Sequence, residues 1–96
     1  GQIAINPKTQ ELMKGSIESE TTQVMENIGS ILKEASTDFS KVIKSSIFIK
    51  NMNDFTKINQ VYGKYFNKNS PARETIEVSK LPKNSNIEIS CIASVH

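Results

Sequence analysis

Apolar residues recur along this 96-residue chain with two different periods. Between positions 17 and 36, Ile17, Thr21, Val24, Ile28, Ile31 and Ala35 return every three or four residues, and Met25 and Leu32 widen the stripe. A period near 3.6 gathers them on one side of a helix, so the spacing predicts a helix over 17–36. Ser16 stands where an N-cap is wanted, and Glu18 and Glu20 fall in the first turn, where the helix dipole favours acids. A second stripe, Phe55, Ile58, Tyr62 and Tyr65, flanked by Val61 and Phe66, predicts a shorter helix over 54–66.

The remaining apolar segments are short or alternate with a period of two. They predict strands over 2–6, 42–50, 73–80 and 86–95. Polar or proline-bearing stretches separate the elements: a turn over 6–10 with Pro7, a loop over 67–72, and a connection over 81–84. In 42–50, Ile43, Ile47 and Ile49 share a face. In 73–80, Ile76 and Val78 are expected to face one way and Arg73, Thr75, Glu77 and Ser79 the other. In 86–95, Ile87, Ile89, Cys91 and Ala93 share a face opposite Glu88, Ser90 and Ile92.

Strand, helix, strand, helix, strand, strand is an order that right-handed crossovers resolve by placing both helices on one side of one sheet. The prediction is an α+β two-layer sandwich. The isoleucine faces then meet the helices. The opposite face, expected to carry Arg73, Thr75 and Glu88 beside apolar Ile92, has no cover from its own chain. A face that mixed predicts contact with another copy.

Composition narrows the function classes. A chain this short forms one domain and buries only about 60–65% of its unfolded surface, so association would help it. Net charge is +2 without a basic run, which argues against a nucleic-acid partner. Apolar runs fall far short of the roughly 18 residues that span a bilayer. A single cysteine, Cys91, excludes an internal disulfide and fits a reducing, cytoplasmic setting. Cys91 and the terminal His96 cannot by themselves build a metal site. There is no glycine-rich phosphate loop, GxSxG, HExxH or CxxC. Of the twelve Lys and Arg residues, only Arg73 is arginine. Arginine among lysines suggests a place for a planar, two-pronged donor. Arg73 and Glu88 form either a structural ion pair or a site where one anchors an anion and the other holds a water.

The segment Pro71-Ala72-Arg73-Glu74-Thr75-Ile76-Glu77-Val78-Ser79-Lys80-Leu81-Pro82, continued by Asn86-Ile87-Glu88-Ile89, resembles the C-terminal signature of the Rid/YjgF family, also called endoribonuclease L-PSP. Gly1-Gln2-Ile3 with Asn6-Pro7-Lys8-Thr9 resembles an upstream block. Phe48-Ile49-Lys50, Asn53-Asp54-Phe55 and Asn59-Gln60-Val61-Tyr62 resemble another. The resemblance covers the whole chain and implies a single Rid/YjgF-like domain over 1–96 with a chorismate-mutase-like fold. It implies a homotrimer whose sheets line a central barrel, with active sites between subunits. The implied reaction is hydrolysis of 2-enamines and 2-imines to 2-keto acids and ammonia, with no metal and no cofactor. Arg73 would bind the substrate carboxylate and Glu88 position the water. Thr75 would offer its backbone amide, while Asn59 and Gly1 line or support the cleft. The alternatives are a non-enzymatic carboxylate-binding or chaperone-like trimer and the RNA-directed activity of the family's older name.

Three features depart from that pattern. The family's N-terminal hairpin, with its Tyr and Ser for the cleft, is not in these 96 residues. The loop before Pro71 is short. Glu74 stands beside Arg73 where a small residue is common, and alternation is expected to turn it away.

Overall fold

The structure, a computed structural model, describes residues 1–67 and 70–95. His96, expected to be a frayed terminus, and part of the loop expected over 67–72 lie outside them. The described elements are helix α1 (Ile17–Glu34), strand β1 (Val42–Ile49), helix α2 (Phe55–Gly63) and strands β2 (Ala72–Glu77) and β3 (Ile87–Ala93). Short 3-10 turns precede β1, α2 and β3. In two of them a side chain accepts from the backbone two residues on: Asp38 from the Ser40 amide at 2.8 Å and Asn51 from the Asn53 amide at 2.9 Å. This supplies an acceptor for a donor that a helix start leaves without a partner.

The sheet has the order β2-β1-β3. α2 carries the chain across so that β1 and β2 run parallel, while β3 returns antiparallel to β1. The expected α+β sandwich with a mixed sheet is therefore present. Its core lies between the helices and one sheet face, where Val24, Met25, Ile47, Ile49, Ile58, Ile87 and Ile89 are almost completely buried. Truncating one of these isoleucines to alanine removes packed methylenes and leaves a cavity, a loss of about 2–5 kcal/mol. Ser16 caps α1 as expected, accepting from the Ser19 amide at 3.1 Å.

Four expectations need correction. The strand over 2–6 is reduced to isolated bridges, Gln2 to Ile89 and Ile5 to Leu12. Asn27 of α1 ties the segment down instead, donating from Nδ2 to the carbonyls of Ile3 (3.3 Å) and Ile5 (2.9 Å). Ile43 does not join Ile47 and Ile49, because an irregularity in pairing between Val42 and Lys44 leaves Val42 buried and Ile43 out. Ile31, expected inside, is exposed on α1, whereas Glu20 in the first turn of the same helix is buried. Helix α2 stops at Gly63 and tightens into three-residue turns through Phe66, whose amide donates to the Gly63 carbonyl at 3.2 Å.

The largest correction concerns β2. Pairing aligns Arg73, Thr75 and Glu77 with Ser45, Ile47 and Ile49, which face the helices. Ile76 pairs with Phe48 and faces the other way. The apolar and polar faces of this strand are thus the reverse of what alternation alone suggests. Register to the buried β1 overrides it, since parity in a strand flips with a one-residue shift. The uncovered face consequently carries Ile76, Ile92 and Phe48, a more apolar surface than expected.

Glu20 is 3% exposed, and both of its oxygens accept from Asn86 Nδ2, at 3.0 and 3.1 Å. Burial pushes its carboxyl above the ordinary value of 4.5, against the lowering effect of Asn86. A raised folded-state value means stability falls as pH climbs from 4.5 through the folded value. Glu20→Gln keeps an acceptor for Asn86 and removes the charge. Thermal melts should show the variant equal to or above the parent at neutral pH, with the gap closing toward acid. A variant that melts lower at neutral pH and equally at acid pH contradicts this reading.

Candidate active site

Arg73 enters from the first turnless stretch of β2 and lies under α2. Its Cζ is 5.6 Å from the Phe55 ring centroid and 5.3 Å from that of Tyr62. Its Nη1 donates to Asn59 Oδ1. Phe55, Asn59 and Tyr62 recur at helical spacing, so one stripe of α2 makes all three contacts. Gly63, Phe66, Ser70 and Pro71 complete an open cleft beside the guanidinium. Among the described residues, Arg73 has no carboxylate within ion-pair distance; the ion pair on this strand joins its neighbour Glu74 to Lys44 at 3.3 Å. Glu74 also accepts from Ser46 Oγ at 2.7 Å. These two contacts, Ser46 foremost, hold its carboxyl below the ordinary range. Glu74 therefore turns away from Arg73, as expected, but onto the uncovered face, because the parity of β2 is reversed.

Thr75 lies two residues beyond Arg73 on the edge strand. The Val78 amide points inward, donating to the Ile49 carbonyl at 2.8 Å. Amides alternate sides along a strand, so those of Arg73, Thr75 and Glu77 point outward from the free edge. An anion held by the guanidinium can meet the Thr75 amide there.

Glu88 is elsewhere. It lies on β3 opposite Phe48, on the uncovered face and half-buried. Arg73 and Glu88 are on the two outer strands, about 9.5 Å apart across the sheet and about 10 Å apart along it, on opposite faces. The shared face expected for them is corrected, and so is the alternative of an ion pair between them. The physical reason is the reversed parity of β2. Gly1 sits against Glu88: a Cβ there would stand 2.5 Å from Oε2 and 2.8 Å from Cδ. The structure thus brings Arg73, Asn59 and Thr75 together, and separately Glu88 and Gly1.

Cys91, expected in the core, is partly buried and 3.4 Å from Ser45 Oγ. Burial pushes its thiol up, so it is a poor nucleophile. The rings of Phe55 and Tyr62 were legible only as a core stripe. The signal that links them to Arg73 is their spacing about Asn59, and it acquires meaning only once β2 is placed beneath α2. Among the described residues no cluster of His, Cys, Asp and Glu could hold a metal, and no helix is long and apolar enough to cross a membrane.

Fold and site together define a small α+β protein with an arginine cradled by Asn59 and two rings at the edge of its sheet. The chain belongs to the endoribonuclease L-PSP family, the Rid/YjgF proteins, whose family model matches residues 1–95. It is 52% identical over 93 residues to a RutC family protein of Pyrococcus horikoshii, covering 97% of this chain and 74% of that one. It is 41% identical over 93 residues to the human 2-iminobutanoate/2-iminopropanoate deaminase, covering 97% of this chain and 68% of that one. The crystal structure of YyfA of Yersinia pestis, a Rid-family protein, superposes with a TM-score of 0.97 at 46% identity, over 99% of this chain and 76% of that one.

The closeness of Gly1 to Glu88 is testable. Gly1→Ala should swing the Glu88 carboxylate aside, because only a flexible side chain stands in the way. The melting temperature should stay within about 4 °C, as for a surface change in a domain this size. A crystal structure of the variant with Glu88 unmoved would contradict that contact.

Proposed function

We propose that this protein hydrolyses reactive 2-enamines and 2-imines, such as 2-aminoacrylate, to 2-keto acids and ammonia. The observation that carries the reading is Arg73: among the described residues, an arginine with no carboxylate within ion-pair distance, on an edge strand beside outward-pointing amides. That arrangement suits a planar carboxylate, which takes two parallel N–H bonds from guanidinium. Relatives named as imine and reactive-intermediate deaminases support the same chemistry.

In the proposed reaction, Arg73 and the Thr75 amide hold the carboxylate of the imine tautomer, and Asn59 holds Arg73. A water oriented by Glu88 adds its oxygen to the imine carbon. The nitrogen takes up both protons of that water, one as the oxygen adds and one as the resulting hydroxyl becomes a carbonyl; the carbon–nitrogen bond breaks, ammonia leaves, and the keto acid remains. An imine is already electrophilic, so most of the rate enhancement would come from holding water and carbon in line. Charge on Glu88 would help as a hydrogen-bond acceptor for that water.

With both residues acting on one ligand, as proposed, the separation of Arg73 from Glu88 supports a second copy. One small ligand cannot reach both within a single chain, whereas a neighbouring copy can bring its Glu88 to this Arg73. The uncovered face, with Ile43, Ile76 and Ile92 exposed, is the natural contact surface. A homotrimer with sites between subunits, as the family resemblance implies, would provide one. The same separation favours a second reading, a carboxylate-binding assembly without turnover, if the copies associate without aligning the two residues.

Freshly generated 2-aminoacrylate gives the test. The protein should speed release of the keto acid, and Arg73→Ala should lower kcat/KM by about a hundredfold, the worth of a two-pronged charged contact. Light scattering should give the same mass for parent and variant. Unchanged turnover in Arg73→Ala would remove Arg73 from the mechanism. Saturable pyruvate binding without turnover in the parent would leave the binding reading.

A further inference from the structure

An exposed arginine on an edge strand ordinarily samples many rotamers, and ordering it when a ligand arrives weakens binding. Arg73 is constrained before any ligand is present. The two rings at 5.6 and 5.3 Å attract its cation through their quadrupoles, and Asn59 takes one Nη1 hydrogen. We propose that Phe55 and Tyr62 are positioning residues, an aromatic brace that holds the Arg73 guanidinium so that its remaining Nε and Nη2 edge faces the cleft. The inference rests on the reading of Arg73 as the carboxylate anchor and explains how the anchor is kept ready.

The choice of rings over carboxylates has a chemical logic. An Asp or Glu beside Arg73 would order it equally well, but it would take the two parallel N–H groups and neutralise the charge that the ligand needs. A ring face attracts the cation while leaving every N–H free. Neutral Asn59 takes only one. The brace is also anchored from the core outward. Tyr62 is 5% exposed and packs on Phe66 with ring centroids 4.8 Å apart, and Phe66 in turn meets Phe39 at 5.5 Å. Phe55, half-buried at the start of α2, supplies the second ring. Arg73 is thereby coupled to rigid packing although its own strand is at the edge.

Binding of pyruvate by calorimetry, steady-state imine hydrolysis and thermal melting, all on the assembled protein, test this. Phe55→Leu keeps the apolar bulk and removes the ring. It should raise both the pyruvate Kd and KM by about three- to tenfold, the worth of one cation–ring contact. It should leave kcat within about twofold, because once the ligand is bound the guanidinium still makes the same two N–H contacts to its carboxylate. Phe55→Trp and Tyr62→Phe keep rings and should bind like the parent. Phe55→Met is a second ring-free replacement and carries the test if Phe55→Leu fails to fold. A merely structural role for Phe55 would lower the melting temperature and kcat together. Ring-free variants that bind pyruvate as tightly as the parent, while Arg73→Ala does not bind it, overturn the brace and leave the anchor. Parent-like binding by Arg73→Ala overturns the anchor, and the brace with it.

Discussion

The pairing of β1 with its two neighbours is the constraint on which the rest of this protein depends. β1 is the middle strand, and its Ile47 and Ile49 are sealed against the helices. Their burial fixes the parity of β1, and hydrogen-bonded register passes that parity to β2 and β3. Every chemically interesting side chain inherits its direction from this chain of pairings. Arg73 goes beneath α2 because it aligns with Ser45; Glu88 goes to the bare face because it aligns with Phe48.

From this follows a division of labour between the two sheet faces. The helix face is a core over most of its area, and at its β2 edge the core gives way to the arginine cradle. There the same stripe of α2 that buries Ile58 against the sheet also turns Phe55 and Tyr62 toward a cation. The bare face has the opposite character: apolar Ile76, Ile92 and Phe48 around the polar group of Lys44, Ser46 and Glu74. A surface of that kind is costly in water and suits contact with another copy. The site's two halves open on different faces, so assembly and chemistry are one requirement in the proposed mechanism.

Much of the fold was readable along the chain. The helical stripe over Ile17–Glu34 and the Ser16 cap follow from spacing and from the hydrogen-bonding habit of serine, both local effects. The alternation of β3 was legible because Ile87 and Ile89 face a core that accepts only apolar groups. The same logic misled at β2, an edge strand beneath a short helix. Its helix-facing row is polar and its outward row apolar, so hydrophobicity does not report which side is covered. The first segment misled for a related reason: its residues look like a strand, but only one bridge reaches β3. The sequence placed Glu20 in the first turn of α1 and carried no sign of its burial, which the approach of Asn86 from far along the chain makes tolerable.

By itself the sequence determined the two helices, the strands of the sheet, the sandwich class, and the identity of Arg73 as the one arginine among lysines. These rest on periodicity and composition, which act over a few neighbouring residues. The tertiary structure alone decided which way Arg73 points, which rings hold it, and that Glu88 lies on the other face. Those depend on register between strands far apart in the chain, where a shift of a single residue reverses every side chain. Local pattern carries no record of that shift, and the buried isoleucines of β1 set it.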